Sequence, residues 1–240
     1  MICDIHCHIL PGVDDGARNE GSTERMLKVA FDEGIDYIVA TPHFEYGREK
    51  DTFEELKRKY QEVRAQWKAM GPNKELFIGN EVFYSEGVVE SLGSRMALTM
   101  NGTRYVLVEF GVDVGVEYVE MAIQKLGYAG YRPIIAHVER YPRLQSRKVL
   151  ERLISKGAYL QVNAKTLCGE HGFIKKIRMM RMMKQGLIHF VASDAHDSKA
   201  RGPLLKGCIE ILQKELGEEK VSQVFEKNPI RMLKGEELDG

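Results

Sequence analysis

Long apolar runs are missing from these 240 residues, and none approaches the roughly 20 needed to span a bilayer. Neither a membrane-spanning helix nor a secretory signal peptide is expected. Cysteine is scarce as well, with four at positions 3, 7, 168 and 208 and no CxxC pair. That usage offers no dense disulfide framework and fits a reducing, cytoplasmic setting. Net charge is absent: 35 Lys and Arg balance 35 Asp and Glu, so nothing in the overall charge recruits nucleic acid or an anionic membrane. No cysteine is followed by arginine six positions on, and there is no G-x-S-x-G, Walker A loop or G-x-G-x-x-G. Those gaps exclude a thiolate phosphate cradle, a nucleophile elbow and the common nucleotide loops, so metal ions must carry any chemistry. Repeats, low-complexity tracts and Pro/Gly/Ser linkers are lacking too, and residues 1–240 read as a single domain.

What is present is a succession of short apolar runs, at residues 2–6, 37–40, 76–79, 105–108, 133–136, 158–162 and 189–192. Helical spacing fills the intervals. One helix spans 22–33 and stops at Gly34, and a second runs from an Asp51/Glu54 capping box to Trp67. Others cover 116–126, a Ser146-capped stretch to 154, a Met-rich basic segment at about 171–184, 204–216, and 221–225 broken by Asn228-Pro229. Near-continuous apolar strands alternating with helices are the pattern of a parallel sheet covered on its outside. The expected fold is α/β, a distorted TIM-like (β/α)7 barrel with its chemistry at the C-terminal strand ends.

Those ends carry the signal. Side chains alternate across a strand, so His6 and His8 of Asp4-Ile5-His6-Cys7-His8 share a face, as two ligands to one divalent ion would. The other runs close in His43, Glu81, Glu109, His137 and Asp194-Ala195-His196. With Asp14 from the first loop, the candidates exceed one tetrahedral ion and suit two or three ions with mixed N/O shells. Glu81, midway in the strand order, is the natural bridge. No thiolate is needed, so Mn²⁺, Fe or Zn²⁺ fits, and the carboxylate share favours Mn²⁺ or Fe. Cys7 alternates away and reads as wall; His171, His189 and Trp67 read as structural. Arg140 and Arg201 follow ligand-bearing strand ends, where guanidinium forks would grip a phosphorylated substrate. The Met-rich helix reads as a core stripe through Ile177, Met180 and Met183 or Lys184 under a solvated basic face.

The whole pattern resembles the polymerase-and-histidinol-phosphatase family. His6-Cys7-His8, Thr41-Pro42-His43, Glu81 with His137, and Asp194-Ala195-His196 stand where its four motifs do. It is closer still to the branch of bacterial manganese-dependent tyrosine-protein phosphatases linked to capsule and exopolysaccharide synthesis. Residues 4–17, His137-Val138-Glu139-Arg140-Tyr141, Arg201-Gly202-Pro203 and Asn228-Pro229 carry that closer likeness. The resemblance implies up to three ions: one on His6, His8, Glu81 and Asp194; one on Asp14, His43 and His196; one on Glu81, Glu109 and His137. It also implies that a metal-bridging hydroxide hydrolyses phosphotyrosine on the cytoplasmic tail of a bacterial tyrosine kinase, with Arg140, Arg201 and Asp14 assisting. Rival expectations are a histidinol-phosphate type phosphatase, a nuclease, an amidohydrolase, or a binding module that keeps the cage only for stability.

Overall fold

Residues 1–48 and 52–238 are described by the computed structural model. Its centre is built from β1 (Cys3–Cys7), β2 (Tyr37–Ala40), β3 (His43–Phe44), β4 (Glu75–Ile78), β5 (Glu81–Phe83), β6 (Tyr105–Glu109), β7 (Arg132–Ile135), β8 (Tyr159–Asn163) and β9 (Phe190–Ala192). One sheet has the order β1-β2-β4, the other β3-β5-β6-β7-β8-β9, and every pairing is parallel. The sheets curl, and helices cover them.

Two of the expected runs are split, for a local reason. Thr41-Pro42 separates β2 from β3, because proline has no N–H to give a ladder. Gly79-Asn80 separates β4 from β5 alongside it. The Asn80 side chain mends both breaks: its amide donates to the Pro42 carbonyl (2.8 Å), and its Oδ1 accepts from Leu98 N (2.8 Å). At the far side β1 meets β9 through a parallel bridge between Cys7 and Ala195. There Asp194 N donates to His6 O (2.9 Å) and His8 N to Ala195 O (2.8 Å). The buried Asp4 carboxylate ties the same strands by accepting from Ser193 N (2.9 Å) and Ser193 Oγ (2.5 Å).

The helices are α1 (Glu20–Asp32), α2 (Phe53–Ala69), α3 (Val88–Gly93), α4 (Val116–Tyr128), α5 (Arg147–Ser155), α6 (Ala164–Cys168), α7 (Phe173–Lys184), α8 (Lys206–Leu216), α9 (Glu218–Ser222) and α10 (Asn228–Lys234). Asn19 caps α1, and Met26, Leu27 and Ala30 turn inward. The capping box of α2 is Thr52 with Glu55, one residue later than expected. Asp51 lies outside the described residues; Thr52 is the extended residue whose Oγ1 can reach Glu55 N (3.3 Å). Trp67 is fully buried, its indole N–H donating to Asp36 O (3.1 Å).

Two expectations about helices are corrected. Asn228-Pro229 does not break the last helix. A π-turn over Gln223–Lys227 links α9 to α10, and Pro229 sits in the first turn of α10, a position where proline is tolerated. In α7 the buried residues are Met179, Met180, Met182 and Met183, whereas Ile177 is 54 % exposed. Unbranched methionines fill an irregular seat that a β-branched residue fits poorly. No helix among the described residues is long and apolar enough to cross a membrane.

His189, at the approach to β9, is held neutral: burial first, then Lys220, pulls its pKa down to about 4. Its Nδ1 accepts from Leu160 N (3.2 Å). An unfolded chain takes up a proton near pH 6.5, so stability is present above that pH and is lost as pH falls towards 4. The shift corresponds to about 3 kcal/mol. Thermal melting followed from pH 7 to 4 should show a shallower decline in His189→Gln than in the parent chain; equal slopes would remove His189 from the account.

Candidate metal centre

Glu81 opens β5 and is almost fully buried, at 1 % exposure. Three imidazole nitrogens surround its Oε2: His6 Nε2 at 3.1 Å, His8 Nε2 at 3.2 Å and His43 Nδ1 at 3.1 Å. Its Oε1 meets His137 Nε2 at 2.7 Å. Around this carboxylate stand Asp194, whose Oδ1 is 3.5 Å from both His6 and His8, and Glu109, which is 3.4 Å from His137 and 3.7 Å from His43. His196 stacks on His8 with ring centroids 3.9 Å apart. Residues from β1, β3, β5 and β6 and from the segments after β1, β7 and β9 therefore meet at one rim.

The donor set fits cations. His6 Nε2 and His8 Nε2 lie 3.1 Å apart, and Glu81 Oε2 and Asp194 Oδ1 are buried without a hydrogen-bond partner among the described residues. Buried oxygens of that kind call for a proton or a metal. Three groups of ligand atoms lie within 4.8 Å of one another: His6, His8, Glu81 and Asp194; His8, Asp15, His43 and His196; and His43, Glu81 and Glu109. The first brings together the four residues that the family resemblance assigns to one ion. The second contains Asp15 where Asp14 was expected, because Asp14 Oδ2 is engaged by His8 Nδ1 (2.7 Å) and the His43 amide (3.0 Å). His137 borders the third group through both glutamates. Oxygen and imidazole nitrogen without thiolate suit Mn²⁺, Fe or Zn²⁺.

The second ring nitrogens are held too, which decides which nitrogen faces inward. His8 Nδ1 donates to Asp14, His196 Nδ1 to Asp194 O (3.0 Å), and His6 Nδ1 to Gln161 Oε1 (3.2 Å). Gln161 Oε1 also accepts from His137 N (2.7 Å). The Gln161 side-chain amide donates to Asn163 Oδ1 (2.8 Å), and Asn163 Nδ2 donates to Asp194 Oδ2 (2.8 Å). Sequence reasoning passed over Gln161, Asn163 and Asp15. The first two stand at i and i+2 of β8, the alternation that pairs His6 with His8, and that was the available signal.

Backbone strain marks the same place. His137 (φ 31°) and Asp194 (φ 53°) adopt left-handed conformations that cost non-glycine residues on the order of 1 kcal/mol. Gly16 packs so closely that a Cβ there would stand 2.1 Å from His8 O. Charge is settled by the carboxylates. Burial opposes a charged His8, but Asp14, Asp194 and Glu81 raise its pKa well above the usual value. For His137, Glu109 and Glu81 overcome burial and push it up to about 9. Burial beside charged His8 brings His196 down to about 4. Cys7 is buried and its thiol is pushed well up, chiefly by burial, so it is wall rather than ligand.

The arginines each make one close contact, and their other nitrogens stand 3.9 Å from Glu109 for Arg140 and 3.8 Å from Asp15 for Arg201. Arg140 Nη2 donates to Asp194 Oδ2 (2.5 Å), and Arg201 Nη2 donates to His196 Nε2 (2.9 Å). A cleft of about 450 Å³ opens from Asp14, His43 and Glu109 between Phe44, Phe53 and Phe83.

Residues 2–234 match the family model for capsular polysaccharide synthesis, CpsB/CapC. The chain belongs to the CpsB/CapC family. It is 35 % identical over 217 residues to the tyrosine-protein phosphatase YwqE of Bacillus subtilis, covering 90 % of this chain and 85 % of that one. The tyrosine-protein phosphatase CpsB of Streptococcus pneumoniae is 28 % identical over 236 residues, covering 96 % and 97 %. A crystal structure from a study of YwqE and CpsB, described as unique metal-dependent tyrosine phosphatases, superposes with TM-score 0.90 at 32 % identity. That superposition covers 99 % of this chain and 96 % of the other.

Two measurements test the centre. Gln161→Leu removes the acceptor that fixes His6, and calorimetry should show Mn²⁺ affinity about 10–100-fold weaker with the fold retained; unchanged affinity would deny Gln161 that role. His137 holds a proton below about pH 9 that a metal must displace. Apparent Mn²⁺ affinity should therefore climb with pH from 6 towards 9, and a flat profile would show that His137 is not displaced.

Proposed function

We propose that the chain is a single phosphatase domain over residues 1–240, a metal-dependent tyrosine-protein phosphatase of capsule or exopolysaccharide synthesis. The observation that carries this reading is the buried Glu81, shared by His6, His8, His43 and His137 and flanked by Arg140 and Arg201. The fine architecture we favour is the seven-unit barrel: β2 with β3 and β4 with β5 count as two kinked strands, and the Cys7–Ala195 bridge closes the ring. The substrate class is phosphotyrosine on the cytoplasmic tail of a bacterial tyrosine kinase, and the protein works in the cytoplasm without nucleic acid.

His6, His8, Glu81 and Asp194 would hold one ion, His43 and His196 with Asp15 a second, and Glu81, Glu109 and His137 a third, with Mn²⁺ the favoured metal. Such ions supply Lewis acidity that activates water and offsets phosphate charge. The protein's own residues do the rest. Arg140 and Arg201 present guanidinium N–H groups to the phosphoryl oxygens, where charge grows as the P–O bond breaks. The tether of Arg140 to Asp194 keeps its fork aimed at the rim, and Arg201, whose partner His196 Nε2 is the nitrogen an ion would take, would be released towards the phosphate. Asp14, a catalytic candidate from the sequence, acts by holding His8 in the tautomer that turns Nε2 inward. The aromatic-lined cleft offers apolar surface beside Glu109 for the tyrosine ring. A phenolate leaves with a pKa near 10, so acid assistance matters less than for an alkyl ester.

Phosphate release by chelator-stripped protein should return on adding Mn²⁺ with a phosphotyrosine peptide. It should be much weaker with phosphoserine peptide, histidinol phosphate or single-stranded DNA. Arg140→Ala should lower kcat/KM by about 10²–10³, and His6→Ala should abolish turnover. Activity confined to histidinol phosphate or DNA would reassign the substrate; bound metal without any turnover would favour a binding module.

A further inference from the structure

On the other side of Asp15 from the aromatic cleft lies a second cleft of about 670 Å³, which runs from His196 and Arg201 along Arg18, Arg25 and Lys199. Its charge is unbalanced. Some exposed cations elsewhere pair along a helix, as Lys28 does with Asp32, Arg58 with Glu62 and Arg147 with Glu151. Arg18, Arg25 and Lys199 have no carboxylate within salt-bridge distance among the described residues, although Arg25 reaches Ser22 Oγ at 3.2 Å.

The two acids of the wall are already engaged. Asp15 faces His43 (3.4 Å), His196 (3.3 Å) and Arg201 (3.8 Å). Asp197 Oδ1 accepts the backbone N–H of Lys199 (2.6 Å) and of Arg201 (3.0 Å). Three positive side chains without a carboxylate at salt-bridge distance among the described residues therefore line a cleft beside the rim, where cations outnumber the two acids, in a protein whose overall charge is zero.

We propose that this cleft binds aspartate and glutamate side chains flanking the phosphotyrosine of a protein substrate, so that the enzyme selects an acidic sequence context. The inference rests on the phosphatase reading above and adds what surrounds the phosphate. An extended peptide advances about 3.4 Å per residue. Acidic residues two or three places from the phosphotyrosine lie roughly 7–10 Å along the chain, and the cleft begins at His196 and Arg201 of the metal rim. Guanidinium forks grip carboxylates in two-point contacts, and opposite charge at the rim speeds encounter. Each exposed pair contributes modestly, and three together amount to about tenfold in kcat/KM.

The test compares two phosphotyrosine peptides that differ only in Glu and Asp against Gln and Asn at the flanking positions. It uses the Mn²⁺-loaded parent and the double variant Arg18→Glu, Lys199→Glu, with p-nitrophenyl phosphate as a substrate lacking flanks. The parent should prefer the acidic peptide about tenfold at low salt, less so at high salt. The variant should lose or invert the preference while hydrolysing p-nitrophenyl phosphate at the parental rate. Equal use of both peptides by the parent, or a preference unchanged in the variant, would overturn the proposal. Acceleration only by a second phosphotyrosine would overturn it in favour of a phosphate subsite. Loss of turnover on every phosphate would mark failure of the phosphatase reading itself and take this proposal with it.

Discussion

A carboxylate in the interior must be neutralised, and Glu81 is where this protein meets that demand. Its two oxygens face four imidazoles contributed by β1, β3 and the turns after β1 and β7. An isolated buried charge would cost several kcal/mol, so removing any one partner leaves the others badly placed. The parallel strand order, the pinched ends of β2 and β4, and the left-handed turns at His137 and Asp194 all serve this convergence. Local strain persists at those two residues because the surrounding hydrogen bonds over-determine their positions.

Rigidity at the centre comes from polar groups that are not themselves ligands. Gln161 and Asn163 on β8 join His6, His137 and Asp194 into one network, and Asp4 fastens β1 to the Ser193 turn from beneath. Buried polar networks of this kind are costly when half satisfied and stiff when complete. Here each member has a partner that also positions a ligand. The arginines belong to the same design: Arg140 reaches Asp194 and Arg201 reaches His196, with Glu109 and Asp15 near their other nitrogens at the rim.

The surroundings of the centre divide by polarity. An aromatic-lined cleft lies on one side, cations without carboxylate partners lie on the other, and Asp15 stands between them. Side chains remote from reacting atoms contribute binding energy and selectivity rather than chemistry. This split gives the rim a direction that a symmetric metal cage lacks.

Much of this was legible in the residues. Alternation along a strand placed His6 with His8, apolar runs marked the strands, and the residue types at their ends announced a mixed N/O centre with Glu81 in its middle. Those features are local, set by the period of a strand and by the chemistry of a side chain. Other features depended on distances between remote segments. Asp15 rather than Asp14 joins the second ligand group because the loop turns Asp14 back onto His8 and the His43 amide. Gln161 and Asn163 gain their roles only because β8 lies between β7 and β9. Ile177 faces solvent and four methionines face inward, since the seat beneath α7 is shaped by the elements packed against it. The sequence by itself determined which groups could bind metal and which strands carried them. Tertiary structure decided which oxygen and which ring nitrogen would face the centre, because a hydrogen bond's partner is chosen by where the whole chain has already been placed.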